Sequence, residues 1–251
     1  GDVEARRRLL EEGAPVDIGD ADNSTALDVA AQNGRLDAGR LLVESGADVR
    51  HHDNNGMTPL HFACYEGHDD AALYLLDHGA DPAAVSGRGS IPLHGAAVGG
   101  HTSTVALLLD RGSPVNVRNA GGYTPLLSAS AGLADVELIG LLVTHGAWVD
   151  DRDSEGTTAL HNAAWRGNYD VARYLIESGA SLDALMNGGG NTPLHNAASS
   201  CSLDVVRALL DAGAQVDCRT TWGATPRQWA ARRGGDEVVR LLLDRGAAPG
   251  I

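Results

Sequence analysis

"GMTPLHFACYEGHDDAALYLLDHGADP", residues 56–82, reads as one complete structural unit. Thr58 suits a helix N-cap, and Pro59 suits the first helical position, where its missing N–H costs nothing. The apolar run that follows makes two short turns and stops at Gly67, a helix C-terminal signal. Residues 69–78 then carry apolar side chains at helical spacing and stop at Gly79. The segment just before the unit, "ADVRHHDNNGM", holds the Asp, Asn and Gly of tight turns. The reading is helix, turn, helix, loop.

The unit recurs along the 251 residues. Aligned on its Thr, the slots are Thr25, Thr58, Ile91, Thr124, Thr158, Thr192 and Thr225, in steps of 33, 33, 33, 34, 34 and 33 residues. A second ladder runs through Gly13, Gly46, Gly79, Gly112, Gly146, Gly179, Gly213 and Gly246. Two ladders with one period mark a repeat architecture, in which each unit buries its apolar face only against its neighbours.

"GMTPLHFACYEGHDDAALYLLDHGADP" and "GNTPLHNAASSCSLDVVRALLDAGAQVD" resemble ankyrin repeats, whose T-P-L-H signature opens a pair of helices. The resemblance spans the whole chain and implies an all-α solenoid of stacked helix-turn-helix units with β-turn or hairpin loops. The turns and first helices would line a concave face. A single domain over 1–251 is expected, with a half repeat at 1–19 and full repeats starting near 20, 53, 86, 119, 153, 187 and 220. "GDVEARRRLLEEGA" matches only a second helix, so residue 1 falls mid-unit and a longer protein is expected. In the last unit Arg227 and Gln228 replace Leu and His, as suits a polar cap.

Composition narrows the function. A formal charge of −14 and a pI near 5.0 argue against nucleic acid and anionic membranes, which need a cationic footprint. No charged-then-apolar leader opens the chain, and no apolar run approaches a membrane span. Cys64, Cys201 and Cys218 are few and lack metal spacing, which fits a reducing, cytoplasmic setting. Every basic residue apart from histidine is Arg. That bias has two readings, coding composition or escape from lysine modification such as ubiquitination. Ten aromatics, among them a single Phe, cannot organise one large globular core.

Some residues invite chemistry. His61, His94, His161 and His195 occupy the T-P-L-H slot, where the resemblance implies hydrogen bonds between neighbouring repeats. His78 and His145 precede the Gly that ends a second helix, where a donor is favourable. "HHD" at residues 51–53 lacks helical ligand spacing and any further ligand, so no metal site is expected. No phosphate loop, nucleophile elbow or dinucleotide fingerprint appears, and neither an enzyme nor a cofactor is expected. "NGGGN" at residues 187–191 reads as a loop tip with one extra residue. The fourth repeat carries Leu127 in the His slot and one extra residue near its inter-helix turn. Cys201 stands where Gly ends other first helices, so a remodelled turn is expected there.

The resemblance also implies where a partner is read: four, three and one residues before the Thr, and four, seven and eight after it. The side chains that stand out in those slots are Tyr65, Glu66, Tyr123, Trp165, Arg166, Trp222, Trp229, Arg232 and Arg233. Asn162, Asn191, Asn196 and Ser199 fall in them too. Trp, Tyr and Arg dominate interface hot spots. Trp148 is expected on the turn surface. Residues 1–218 carry a net −17, and residues 219–251 a net +3. The expected function is a scaffold that binds a protein or an acidic peptide segment at its C-terminal repeats. Two rivals remain open: a small-molecule or catalytic groove lined by the aromatics, and a targeting module of a larger enzyme or ubiquitin-ligase adaptor.

Overall fold

The computed structural model describes residues 15–248. The half-repeat reading of the first fourteen residues, Gly13 included, lies outside them. Among the described residues fourteen helices form seven pairs: α1 (Ala26–Gln32) and α2 (Leu36–Glu44), α3 (Pro59–Tyr65) and α4 (Asp69–Asp77), α5 (Pro92–Gly99) and α6 (Thr102–Asp110), α7 (Pro125–Ala131) and α8 (Val136–Thr144), α9 (Ala159–Arg166) and α10 (Tyr169–Glu177), α11 (Pro193–Ser199) and α12 (Leu203–Asp211), α13 (Pro226–Arg233) and α14 (Asp236–Asp244). No strand occurs among the described residues. The all-α stacked-repeat fold is therefore present. Contacts group the chain into two compact units, Gly1–Ala120 with Gly132–Ala134, and Gly121–Ala131 with Asp135–Ile251.

Five of the seven first helices start from the same device. The Oγ1 of Thr58 accepts from the His61 N–H, and His61 Nδ1 accepts from Thr58 N at 3.1 Å. This reciprocal box satisfies two donors that a helix start would otherwise leave orphaned. Thr25 with Asp28, Thr158 with His161, Thr192 with His195 and Thr225 with Gln228 repeat it. The two irregular repeats keep complementary halves. Ile91 has no hydroxyl but still donates its N–H to His94 Nδ1, whereas Thr124 caps Leu127 N with no ring to answer it.

The histidines also join repeats. Nε2 of His61, His161 and His195 donates to the carbonyls of Ser90, Asn191 and Ala224, each at 3.1 Å in the following loop. Burial is the main force that pushes all three rings below the ordinary histidine range, His161 to about 4. His78 and His145 bond the carbonyls of Tyr74 and Leu141 in the last turns of their helices, both at 2.8 Å.

Leucine and alanine make the core. Leu60, Ala63, Leu93, Ala96, Leu160 and Ala164 are buried, and small residues let neighbouring first helices approach closely. None of the ten aromatics is buried. The loop tips are tied in sequence: Asn54, Gly87 and Ala120 donate N–H to Asp22, Asn55 and Arg88 in one unit. Ser154, Asn187 and Thr221 donate to Gly121, Glu155 and Gly189 in the other.

Two irregularities are as read, and one is not. Residues 132–135 put four residues between α7 and α8, with Asp135 capping Leu138 N at 3.0 Å. The NGGGN tip closes with Met186 N to Asn191 O, one residue longer than the Asp53 N to Met57 O closure of the second repeat. The turn at Cys201 is not remodelled: Cys201 itself takes φ 55°.

Candidate partner-binding surface

The seventh repeat carries the densest group. Trp222 lies in the loop tip and is 76% exposed. Its indole edge lies against Gly189 of the preceding tip, where a Cβ would sit 3.4 Å from the ring. Thr221 fixes that approach by donating its hydroxyl to the Gly188 carbonyl at 3.0 Å. Trp229 is half-buried on α13, edge-on to the His195 ring with centroids 5.9 Å apart. Its ring therefore packs on the sixth repeat and offers only part of its surface. Arg232 and Arg233 close α13, exposed, with no hydrogen bond or ion pair among the described residues. Two guanidinium groups without a carboxylate are notable in a chain with 33 acidic residues.

One end of the fifth repeat adds Trp165 and Arg166, in the last turn of α9. Helical phase turns Leu160, Ala163 and Ala164 into the core and leaves Trp165 52% exposed. Arg166 Nη1 donates to the Ala131 carbonyl at the end of α7, at 3.0 Å. A guanidinium at a helix C-terminus satisfies an orphan carbonyl and the dipole together. Tyr123 stands at the other end of α7. Burial, and then the Asp153 carboxylate that its hydroxyl bonds, push the phenol above its usual range. Asp153 in turn accepts from Glu155 N and Thr157 N, both at 2.9 Å, so Tyr123 braces a tip.

Tyr65 and Glu66 belong to the other unit, at the end of α3. Tyr65 is 55% exposed and its carbonyl accepts from His101 Nε2 at 3.0 Å. Glu66 is exposed as the helix C-cap.

Several slots are taken by the scaffold. Asn196 and Ser199 are buried, and Asn196 Nδ2 donates to the His161 carbonyl at 3.2 Å. Asn162 donates to Ser130 Oγ at 3.1 Å. Trp148 is exposed on the turn surface as read, and so, unread, are Leu133 and Leu185. Leu133 belongs to the extra residue of the fourth repeat, which was the signal available for it. The residues of "HHD" serve turns: His51 Nε2 donates to Asn23 O, and Asp53 Oδ1 accepts from Asn55 N and Met57 N. No three potential ligands gather for a metal ion among the described residues. A cavity of about 310 Å³ is lined by Val49, Arg50, His52, Thr58, Asp81 and Ala83 with its neighbours, and one of about 10 Å³ by Leu27, Tyr74 and residues around them. Neither involves the aromatic slots. No helix among the described residues is long and apolar enough to cross a membrane.

Comparison with known proteins bears on the family and the fold. A family model described as ankyrin repeats, in three copies, matches residues 1–86, 93–186 and 182–251. Protein phosphatase 1 regulatory subunit 27 of Homo sapiens is 46% identical over 55 residues, 22% of this chain and 36% of that protein. Potassium channel AKT3 of Oryza sativa subsp. japonica is 49% identical over 51 residues, 20% of this chain and 6% of that protein. The chain thus spans about a third or less of these relatives. The crystal structure of the human ASB11 ankyrin repeat domain is similar over 90% of this chain and 100% of that one, with TM-score 0.81 and 29% identity.

Proposed function

The chain belongs to the ankyrin repeat family, and from that premise we propose that it is a non-catalytic module that captures a protein or peptide. Partner contact is assigned to the turn and first-helix surface, with the main anchors in the C-terminal repeats: Trp165 and Arg166, then Trp222, Trp229, Arg232 and Arg233. Tyr123, and Tyr65 with Glu66, are secondary contacts. The observation that carries the reading is that the exposed indoles of Trp165 and Trp222 occur with the unengaged guanidiniums of Arg232 and Arg233 in the C-terminal repeats of an otherwise acidic chain. Such residues remove apolar area from water while keeping a polar handle. The preferred ligand is an acidic segment, held by bidentate arginine contacts and stacking. Three free cysteines suit a reducing, cytoplasmic compartment.

The immobilised chain tests this by capturing partners from its native cell, beside Trp165→Ala and Arg233→Glu. Partners held by the wild type should bind each variant at least about tenfold more weakly, the size of a hot-spot loss. Unchanged affinity with wild-type thermal melts would put the contact surface elsewhere.

A further inference from the structure

Four residues past the Gly that precedes it, a connecting loop carries Asp17, Asp150, Asp183 or Asp217. Each carboxylate accepts one backbone N–H of the following loop. The donors are Asp48, Ser181, Gln215 and Ala248, at 2.7 to 3.2 Å. At the first and last of these joints both carboxylate oxygens lie within 3.2 Å of the nitrogen. This stretch of backbone therefore takes a carboxylate, even where the donating residue is itself an aspartate, Asp48.

The loop after Gly46 inverts the charge. Arg50 stands at the acidic position, and the N–H it would serve is that of Asp81. Arg50 Nε donates to the Gly79 carbonyl at 2.7 Å, and its guanidinium makes no ion pair among the described residues. The Asp81 N–H has no acceptor among them either, and the Asp81 carboxylate is spent on Ala83 N at 2.8 Å. Both groups line the cavity of about 310 Å³. Val49, Ala83, Ala84 and Val85 supply its apolar walls. His52 lines it as well, with Nδ1 donating to the Gly56 carbonyl at 3.2 Å. The volume falls at the lower end of small-molecule sites, which run from ~300 to 1,000 Å³.

We propose that this cavity binds a small carboxylate with a short apolar stem. The ligand takes the Asp81 N–H as the loop aspartates take theirs, and the Arg50 guanidinium holds it by charge-assisted hydrogen bonds. Its stem lies against Val49 and Val85. An amide donor and an arginine in one cavity suit a planar anion, because the fork of the guanidinium matches two carboxylate oxygens. The Asp81 carboxylate does not forbid this. At the first joint Asp48 already carries the Asp17 carboxylate on its own N–H, with no ion pair among the described residues to assist it. The site is separate from the aromatic and arginine surface of the C-terminal repeats, so it adds a second ligand to the proposed function. A free organic acid and the carboxyl terminus of a peptide ending in an apolar residue offer the same chemistry.

Amide chemical shifts of the isotope-labelled chain test the site. Titration with isovalerate should move the Asp81 amide saturably, with a Kd of about 1 mM or tighter. A blocked dipeptide ending in valine, titrated in the same way, separates the two sources, and the tighter binder identifies the natural one. Inorganic phosphate should bind more weakly than either. Arg50→Gln should weaken carboxylate binding at least about tenfold. Arg50→Asp should abolish it, because the introduced carboxylate reaches the Asp81 N–H from within the chain. Hydrogen exchange at Asp81 should then slow without ligand, as at Ser181 in the wild type. If Arg50→Asp does not fold, Arg50→Gln carries the same test. No saturable shift at Asp81 with either carboxylate overturns the site. So does tighter binding of phosphate, or carboxylate affinity unchanged in either folded variant.

Discussion

Cys201 and Gly235 are an exchanged pair. At Gly67 a Cβ would lie 2.4 Å from the His101 ring, and at Gly167 2.4 Å from Ser202 Oγ. Those side chains start the second helix of the following repeat and fill the space over the glycine. At Cys201 the relation inverts: its Sγ would lie 2.6 Å from a Cβ on Gly235. A left-handed cysteine costs about 1–2 kcal/mol in backbone terms, so the thiol contact offsets part of a real strain. Gly235→Ser should destabilise by about 1–3 kcal/mol through overpacking. In a Cys201→Gly background the cost should nearly vanish. A double-mutant cycle by chemical denaturation checks this, and equal costs in both backgrounds would refute the exchange. Histidine titration belongs at this scale too. The His161 ring is held to about 4 in the fold, against an ordinary 6.5. A depressed base is favoured neutral, so its contribution is complete above pH 6.5 and is lost as the pH falls toward 4. The amount is on the order of 3 kcal/mol. Urea midpoints at pH 7.5, 5.5 and 4.5 should fall steeply for the wild type. His161→Gln should start lower and fall less.

The connecting loops obey a pairing rule of their own. Asp150 and Asp183 accept the backbone N–H of Ser181 and Gln215 in the following loop, at 2.7 and 3.1 Å, and Asp17 does the same for Asp48. The second repeat has Ala83 in that position, and the residue it would serve is Pro114, which has no N–H to offer. The link there is Ser113 Oγ to the Pro82 carbonyl at 3.1 Å. Ala83→Asp alone should leave the melting temperature unchanged, while Ala83→Asp with Pro114→Ala should raise it by a few degrees relative to Pro114→Ala alone. The gain expected is that of one hydrogen bond to a charged acceptor, about 1.5–3 kcal/mol at most. Elements of this kind were legible early. Thr, Pro, His and Gly each act on their own backbone, so a period of 33 or 34 announces helix starts and stops without knowledge of neighbours. The same cannot be said of Asn196 and Ser199. Their slot is open along their own helix, but burial is decided by the next helix, and Asn196 spends its amide on the His161 carbonyl. Cys201 was misread for the same reason, because Gly235, 34 residues away, makes room for it.

At the scale of the whole chain, charge and exposure are unevenly spread. The surface aromatics were legible because a leucine–alanine core leaves them no interior use. How each is engaged was not: Trp229 packs on His195 while Trp222 stays open, and no local pattern distinguishes them. The tip ladder has one more implication. Every rung runs the same way, a later N–H to an earlier carbonyl, at one fixed phase of the period. The order of repeats is thus directional, yet their number is not written into any rung. Excising residues 154–186 would bring Asn187 N to the Gly121 carbonyl that Ser154 now serves, and Asn196 to the Leu127 carbonyl in place of that of His161. Such a shortened chain should keep its helical circular dichroism and melt cooperatively. Excision of about half a period should not, because every later donor would then arrive out of phase. Lengthening and shortening by whole periods is the variation this architecture absorbs without a new joint.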